Sequence, residues 1–201
     1  MYTPRAFSVT DAAKLAAFIR DNAFGTLVTV TAGRPEASHI PFLFDSESGV
    51  LSAHLAAANP QVRRLADVDE ALVMFQGPHG YISPSWYESS DVPTWNYTTV
   101  HVYGRPEILD DDAEVRAIVD SLTRKYEAQF DKPWQPAYDA RLLKAIVGFR
   151  IHVAEIQGKF KLSQNRSMQD RANVIRELQK TGRESDVALA EFMANFGAGD
   201  G

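Results

Sequence analysis

The feature that most constrains the fold is a row of three strand-like segments near the start of the chain. Residues 24–31, 34–45 and 49–56 are rich in β-branched and apolar residues, and turn-forming residues separate them at 32–33 and 46–49. Links this short allow only antiparallel pairing, because parallel neighbours need a crossover of about a dozen residues or more. The chain is therefore expected to build an antiparallel sheet.

Further segments continue this pattern. Strands are predicted at 71–76, 98–108 and 145–156, with 159–163 extending the last one. Helices are predicted at 11–22 and 111–130, and at 167–196 as two amphipathic helices parted by Thr181-Gly182. Six strands with one helical insertion favour a small closed barrel, which leaves no exposed sheet edge. The expected fold class is mainly β with helices.

The composition excludes several classes of protein. The chain has no cysteine, which removes disulfides, thiolate catalysis, iron–sulfur clusters and cysteine zinc sites. No apolar stretch is long enough to span a bilayer and no basic-then-hydrophobic leader opens the sequence, so a cytoplasmic protein without membrane contact is expected. A net charge of −5 argues against a surface that coats nucleic acid.

The run 76–104 has an unusual aromatic composition. It contains six aromatic residues, all of them Tyr or Trp, whereas all eleven Phe lie outside it. Tyr and Trp need hydrogen-bond partners when buried, so they are typical of a half-polar wall. His79, His101, Asn96 and several hydroxyls accompany them. This mixture suits a flat aromatic ligand with a polar edge.

The sequence lacks the motifs of three common kinds of functional site. The five histidines stand singly, with no pair at metal-binding spacing, so no metal site is predicted. Ser83 and Ser85 lie in ISPSW, which lacks the glycine-flanked elbow of a serine hydrolase. No Gly-x-Gly-x-x-Gly is present, so a dedicated nicotinamide-binding fold is not supported. No residue is singled out as catalytic.

Two segments offer side chains for a phosphate. His54, Asn59 and Gln61 surround a helical start at Asn59-Pro60, whose amides could face an anion. KFKLSQNR at 159–166 offers two lysines and an arginine among polar residues, although such a motif alone is more often a solvated strand end.

The stretch 159–183 is basic, with seven Lys and Arg against one Asp and one Glu. A nucleic-acid face, a dimer arm on an acidic partner surface and a solvated helix face all fit this excess. Nothing in the stretch has the turn-flanked recognition helix of a helix-turn-helix protein. DNA contact through this segment is one of three open interpretations.

Six sequence segments are specific enough to compare with known families: MYTP at 1–4, SHIPFL at 38–43, AHLAAANPQ at 53–61, FQGPHGYISPSWY at 75–87, VPTWNYTTVHVYG at 92–104 and KLSQNR at 161–166. In this order they resemble the PaiB family of FMN-binding transcriptional regulators. The resemblance implies a six-stranded antiparallel split barrel of the FMN-binding type over 1–165 and a C-terminal helical extension over 166–201. It also implies a homodimer with FMN at the subunit interface and a role as a negative regulator of transcription.

The resemblance further implies which residues would hold FMN. Ser38, His39 and Ile40 would run along the pyrimidine edge of the ring, and His54, Asn59 and Gln61 would approach the phosphate or ribityl chain. Two more groups would cover the ring face and complete the anion pocket: Tyr81, Ser83, Trp95, Asn96 and Tyr97, then Lys161, Ser163, Gln164, Asn165 and Arg166. Ala57 stands where the family often has arginine, which removes one candidate phosphate ligand.

Two other functions remain open at the level of sequence. A flavin-dependent reductase would pass a hydride from NAD(P)H through FMN to a small acceptor, and split-barrel folds host both roles. A haem protein would use a histidine as axial ligand, and His39 or His101 could serve. Residues suited to hold a flavin can be named, whereas no isolated acid or base stands out as a proton donor, which favours a regulator over an enzyme.

Overall fold

The computed structural model describes residues 1–88, 92–137 and 140–196. Residues 89–91 of the aromatic run and 197–201 of the expected C-terminal extension lie outside the described residues. Among the described residues no helix is both long and apolar enough to cross a membrane.

The described residues form eight strands and six α-helices. The strands are β1 (Ser8–Val9), β2 (Phe24–Thr31), β3 (Arg34–Pro41), β4 (Leu43–Asp45), β5 (Val50–Ala56), β6 (Ala71–Ile82), β7 (Thr94–Ile108) and β8 (Ile146–Lys161). The helices are α1 (Ala12–Asp21), α2 (Pro60–Leu65), α3 (Asp112–Glu127), α4 (Ala140–Leu143), α5 (Met168–Thr181) and α6 (Glu184–Asn195). The predicted class, mainly β with helices, is confirmed.

The strands belong to one sheet in the order β3-β2-β6-β7-β8-β5-β4, with β1 paired to β8. The pairs β2/β3, β2/β6, β4/β5, β5/β8 and β1/β8 are antiparallel. In β2/β3, Leu27 faces Ser38, Thr26 faces His39 and Gly25 faces Ile40. In this order β3 is an end strand, so one of its two edges carries N–H and C=O groups that do not pair with β2.

The chain divides into two compact units. We call Ala12–Phe75 with His101–Ile156 the central unit, and Met1–Asp11, Gln76–Val100 and the residues from Gln157 onward the terminal unit. The long strands β6, β7 and β8 each contribute residues to both units.

The centre of the central unit is aromatic. Phe42, Phe75 and Phe149 are buried, and the ring of Phe42 lies edge-on to the other two at centroid distances of 5.6 and 6.3 Å. The predicted strand 34–45 is two strands because the chain changes partner on either side of Phe42: Arg34–Pro41 pairs with β2 and Leu43–Asp45 pairs with β5. The amide of Phe42 donates to the carbonyl oxygen of Ala23 at 2.8 Å, in register with the β2/β3 pair. The sequence pattern alone carries no sign of this interruption.

The terminal unit is built around the pair of helices α5 and α6. Val174, Leu178, Leu189 and Met193 are fully buried, which matches the apolar stripes predicted for two helices. Ser167 caps α5 by accepting a hydrogen bond from the amide of Asp170 at 3.0 Å. Gly182 ends α5 with φ of +65°, a left-handed conformation that glycine adopts without strain.

Candidate functional site

In the central unit, three of the predicted site residues meet at the start of α2. Asn59 caps this helix by accepting a hydrogen bond from the amide of Gln61 at 2.9 Å, and its own amide group donates to Ser38 Oγ at 3.0 Å. Gln61 is buried, and its Nε2 donates to Thr29 Oγ1 at 3.0 Å. Its Oε1 is buried without a partner among the described residues. This amide therefore fixes α2 against β2.

His39 and Ile40 lie on β3, next to Ser38 in sequence. The ring nitrogen Nδ1 of His39 lies 2.9 Å from Thr26 Oγ1, the residue opposite it on β2. The His39 side chain is exposed, whereas Ser38 and Ile40 are half-buried. The end strand β3 therefore has one exposed imidazole between two half-buried residues, and only one of its edges pairs with β2.

His54 and His101 are half-buried in the central unit. Burial lowers the pKa of both imidazoles below the ordinary histidine value, because it disfavours the charged form. The Nδ1 atoms of both are buried without a hydrogen-bond partner among the described residues. Each can still accept a hydrogen bond at that nitrogen when neutral, or bind a metal. No group of three or more potential metal ligands occurs among the described residues.

In the terminal unit, two lysines lie on the same face of β8. Lys161 Nζ donates to Thr94 Oγ1 at 2.7 Å and to the carbonyl oxygen of Trp95 at 2.6 Å. Lys159 is buried, and its Nζ donates to the carbonyl oxygen of Tyr2 at 2.9 Å and lies 5.2 Å from the ring centroid of Tyr97. Side chains two residues apart in a strand point the same way, so the two ammonium groups share one side.

Neither lysine forms an ion pair with a carboxylate among the described residues. Burial lowers the pKa of Lys161 below the ordinary lysine value, and the charges of Arg166 and Lys159 lower it further. The contacts of the two lysines are carbonyl oxygens, one hydroxyl and aromatic rings, none of which carries a negative charge. The two positive charges are therefore not neutralised. An anion bound here would stabilise both.

The predicted anion motif continues from Lys161 into a turn at the end of β8. Ser163 is buried and accepts a hydrogen bond from Asn96 Nδ2 at 2.9 Å. Gln164 Oε1 accepts from the amide of Leu162 at 2.7 Å. The guanidinium of Arg166 lies 5.0 Å from the ring centroid of Tyr87, and Asn165 is exposed. The turn thus places Arg166 on an aromatic ring.

The predicted aromatic wall is partly formed. Tyr81 and Trp95 are both exposed and meet edge-on with ring centroids 6.0 Å apart. They line an open pocket of about 210 Å³, together with His79, Gly80, Arg183, Ser185 and Asp186. Ser83 Oγ lies 2.8 Å from Ser85 Oγ, outside this lining. Tyr97 instead faces Lys159.

The sequence analysis named sixteen candidate FMN-binding residues but did not predict how they are distributed between the central and terminal units. Ser38, His39, Ile40, His54, Asn59 and Gln61 lie in the central unit, and the other ten predicted residues lie in the terminal unit. Sequence reasoning offered Lys159 within the motif 159–166 but did not assign it to FMN, and it assigned no role to Thr94 and Tyr87, which contact Lys161 and Arg166. The position of Lys159, two residues before Lys161 on a strand, already indicates that the two side chains share one face.

The basic stretch 159–183 makes many contacts within the chain. Arg171 donates to the carbonyl oxygen of Met193, Lys180 pairs with Glu177 at 2.8 Å, and Arg183 pairs with the buried Asp186 at 2.8 Å. These contacts use positive charges that a nucleic-acid face would present to phosphates.

Two kinds of comparison place the chain among known sequences. Residues 1–155 match a family model described as "Putative FMN-binding domain". The chain is 42% identical over 200 residues to "Protease synthase and sporulation protein PAI 2" of Bacillus subtilis (strain 168), covering 96% of each protein. It is 30% identical over 227 residues to an uncharacterized protein of Emericella nidulans, covering 89% of this chain and 90% of that protein.

Solved structures share the fold at low sequence identity. The FAD and haem binding protein from Mycobacterium smegmatis superposes with a TM-score of 0.62 at 20% identity, over 77% of this chain and 73% of that one. The flavocytochrome Anf3 from Azotobacter vinelandii gives a TM-score of 0.62 at 16% identity, over 85% of this chain and 78% of that one. These neighbours agree with the predicted fold class, the split barrel of flavin-binding proteins.

Proposed function

This chain belongs to the PaiB family of FMN-binding proteins, and we propose that it acts as a homodimeric, cytoplasmic negative regulator of transcription whose ligand is FMN. The observation that supports FMN as the ligand is the pair Lys159 and Lys161 on β8, whose positive charges are not neutralised by a carboxylate among the described residues. FMN ends in a phosphate monoester, and a phosphate near neutral pH brings close to two negative charges.

The donor set of the terminal unit suits that phosphate. Lys161 and Lys159 would supply positive charge, and Arg166 would supply a planar, multidentate donor. Gln164 and Asn165 follow in the same turn and would complete the pocket with amide groups. In this proposal Ser163 and Asn96 lie behind the turn, since both are buried.

Two further groups suit the rest of FMN. The exposed ring pair Tyr81 and Trp95 would cover an isoalloxazine face, with Tyr97 and Ser83 nearby in sequence. The outer edge of β3, at Ser38, His39 and Ile40, would offer backbone groups to the polar edge of the ring. His54, Asn59 and Gln61 would approach the ribityl chain or phosphate. Bound FMN would supply a redox-active ring.

The regulatory role rests on the relative in Bacillus subtilis, whose name refers to protease synthesis and sporulation. In this proposal FMN, or its redox state, biases a dimer that influences transcription through DNA or through a protein partner. The many internal contacts of the basic stretch favour a partner over direct DNA contact. A labelled promoter fragment tests this: a salt-sensitive shift with FMN present supports direct contact, and no shift supports a partner.

Two alternative functions have separate signatures. A flavin reductase would turn over NADPH with an acceptor in anaerobic solution, which a pure regulator would not. A haem protein is the second alternative, because a structural neighbour is described as binding FAD and haem and because His101 Nδ1 has no partner among the described residues. His39 is the other axial candidate, since the contact of its Nδ1 with Thr26 Oγ1 at 2.9 Å leaves Nε2 for iron.

The deciding experiment is an absorbance spectrum and an intact-ligand mass of the protein as purified. We expect a yellow protein that releases FMN, at one molecule per chain. A red-brown haem spectrum without flavin would overturn the proposal. Light scattering of the same sample should give twice the chain mass of 22.3 kDa, and a monomer that retains FMN would refute binding at a subunit interface.

A further inference from the structure

Ser163 has a backbone conformation that is unusual for a residue other than glycine outside a hairpin turn. Its φ is +63°, in the left-handed region that residues with side chains seldom adopt. Among the described residues, Ala32 is the only other non-glycine residue with positive φ, and it lies with Gly33 in the tight turn between β2 and β3. Ser163 lies in no such hairpin. A strained residue that persists at a proposed binding site calls for a local explanation.

Side-chain and backbone hydrogen bonds hold this strained turn on both sides. Asn96 Nδ2 donates to Ser163 Oγ at 2.9 Å, and the amide of Arg166 donates to the carbonyl oxygen of Ser163 at 3.1 Å. Gln164 bridges the preceding strand, since its Oε1 accepts from Leu162 N and its Nε2 donates to the carbonyl oxygen of Phe160. Ser163 is therefore the residue at which the chain turns back on itself.

The turn has one cation at each end. Lys161 is the last residue of β8, and Arg166 follows the turn, where its amide donates to the carbonyl oxygen of Ser163 at 3.1 Å. Burial lowers the pKa of Lys161, and the charge of Arg166 lowers it further. Asn96 is 0% and Ser163 3% exposed, so neither side chain faces a ligand in solution. What the two residues can control is the separation of Lys161 and Arg166, the cations that flank Ser163 in the motif 161–166.

We propose that Asn96 and Ser163 are positioning residues: their hydrogen bond holds the left-handed turn and so sets Lys161 and Arg166 at a spacing that selects a phosphate monoester. This inference rests on the proposed function. It adds that the phosphate preference of the site depends on a buried contact that never touches the ligand.

FMN and riboflavin test this, because they share the ring and ribityl chain and differ only in the phosphate. The full-length protein and the variants Ser163→Ala, Ser163→Gly and Asn96→Leu are titrated with each flavin, following the quenching of flavin fluorescence. Losing the Asn96–Ser163 bond should weaken FMN binding by up to about tenfold and leave riboflavin binding within about twofold. Ser163→Gly adopts positive φ without strain, so it keeps the fold while losing the hydroxyl.

Thr98→Val is the matched control. Thr98 lies two residues beyond Asn96 on β7, is equally buried, and donates to the carbonyl oxygen of Pro78 at 3.1 Å. This variant should lower the melting temperature and leave the ratio of FMN to riboflavin affinity unchanged.

The outcomes separate the two claims. A wild-type protein that binds neither flavin, or both equally, overturns the proposed function and the inference with it. A wild-type protein that prefers FMN, with Ser163 and Asn96 variants that keep the same preference or lose both flavins equally, overturns the inference alone.

Discussion

The ammonium group of Lys161 lies 2.6 Å from the backbone carbonyl oxygen of Trp95, so the strongest candidate for a phosphate ligand is tied to the exposed aromatic residue proposed to cover the flavin ring. The same nitrogen donates to Thr94 Oγ1 at 2.7 Å, which leaves one of its three protons for a ligand. One residue thus couples the two ends of the proposed FMN site within the terminal unit.

Replacing Lys161 with methionine should weaken FMN binding strongly. The change keeps an unbranched chain and removes the charge, and a hydrogen bond to a charged group contributes about 1.5–3 kcal/mol. FMN affinity measured by fluorescence titration should fall by about tenfold to a hundredfold. Lys144→Met, which removes a charge from an exposed position outside the terminal unit, is the control. Equal affinities for the two variants would place the phosphate elsewhere.

Lys161 should also give FMN binding an upper pH limit below the ordinary lysine pKa of 10.5. Burial, then Arg166 and Lys159, lower the pKa of Lys161 in the folded protein, so its ammonium deprotonates early and phosphate attraction is lost as pH rises. The affinity of the wild-type protein should therefore decline on the alkaline side, and the Lys161→Met variant should lack this decline. An alkaline limb that survives in the variant would assign it to another group.

The lowered pKa of Lys161 has the opposite effect on the stability of the ligand-free protein, which should increase with pH where FMN affinity decreases. Because the folded pKa of Lys161 is lowered, the unfolded chain binds the proton more tightly between that pKa and 10.5. The free energy of unfolding should therefore rise with pH through this window. Urea denaturation of ligand-free wild type and Lys161→Met at several alkaline pH values measures the difference. A wild-type stability that falls relative to the variant in this window would contradict the assigned shift.

Replacing Arg166 should weaken FMN binding even when lysine keeps the positive charge. Its guanidinium lies 5.0 Å from the ring centroid of Tyr87, an arrangement that orients a planar cation and that an ammonium group reproduces poorly. Arg166→Ala should cost roughly 1.5–3 kcal/mol of FMN binding energy, and Arg166→Lys should recover only part of it. Calorimetric titration with FMN gives both values. Full recovery by lysine would mean that charge alone matters at this position.

The sequence was enough to predict the type and order of the longer elements, because their periodicity reflects burial on one side. Strand 24–31 and the paired C-terminal helices show this, and Thr181-Gly182 marks the break between them as expected. The break at Phe42 was missed because it lies where the strand changes partner from β2 to β5, and no local pattern encodes which strands will pair. The strand predicted at 71–76 is longer in the structure, where β6 continues through Gly77–Gly80 to Ile82.

For the candidate site, too, features local in sequence were predicted and features that depend on tertiary contacts were not. The motif 161–166 was recognisable because its residues are adjacent in sequence, whereas the contacts of Lys159 with Tyr2 and Tyr97 join residues far apart in the chain. Burial of Asn96 and Ser163 could not be predicted either, since polar residues in a polar motif are expected at a surface. The assignment of the sixteen residues to FMN stays a prediction.

A last prediction concerns the sheet that carries these residues. Gly104 lies on β7 in the central unit, and a Cβ atom there would overlap the carbonyl oxygen of His152 and lie 2.8 Å from Ile151 Cγ2. Because a backbone oxygen in a paired strand cannot move aside, Gly104→Ala should destabilise the fold by about 2–4 kcal/mol. Gly49→Ala is the matched control: its φ of +66° makes alanine strained, but nothing lies within 4 Å of the added Cβ, so the cost should be nearer 1 kcal/mol. Urea denaturation followed by tryptophan fluorescence measures both. If the two variants were equally stable, close approach of β7 to β8 would not be what keeps this position glycine.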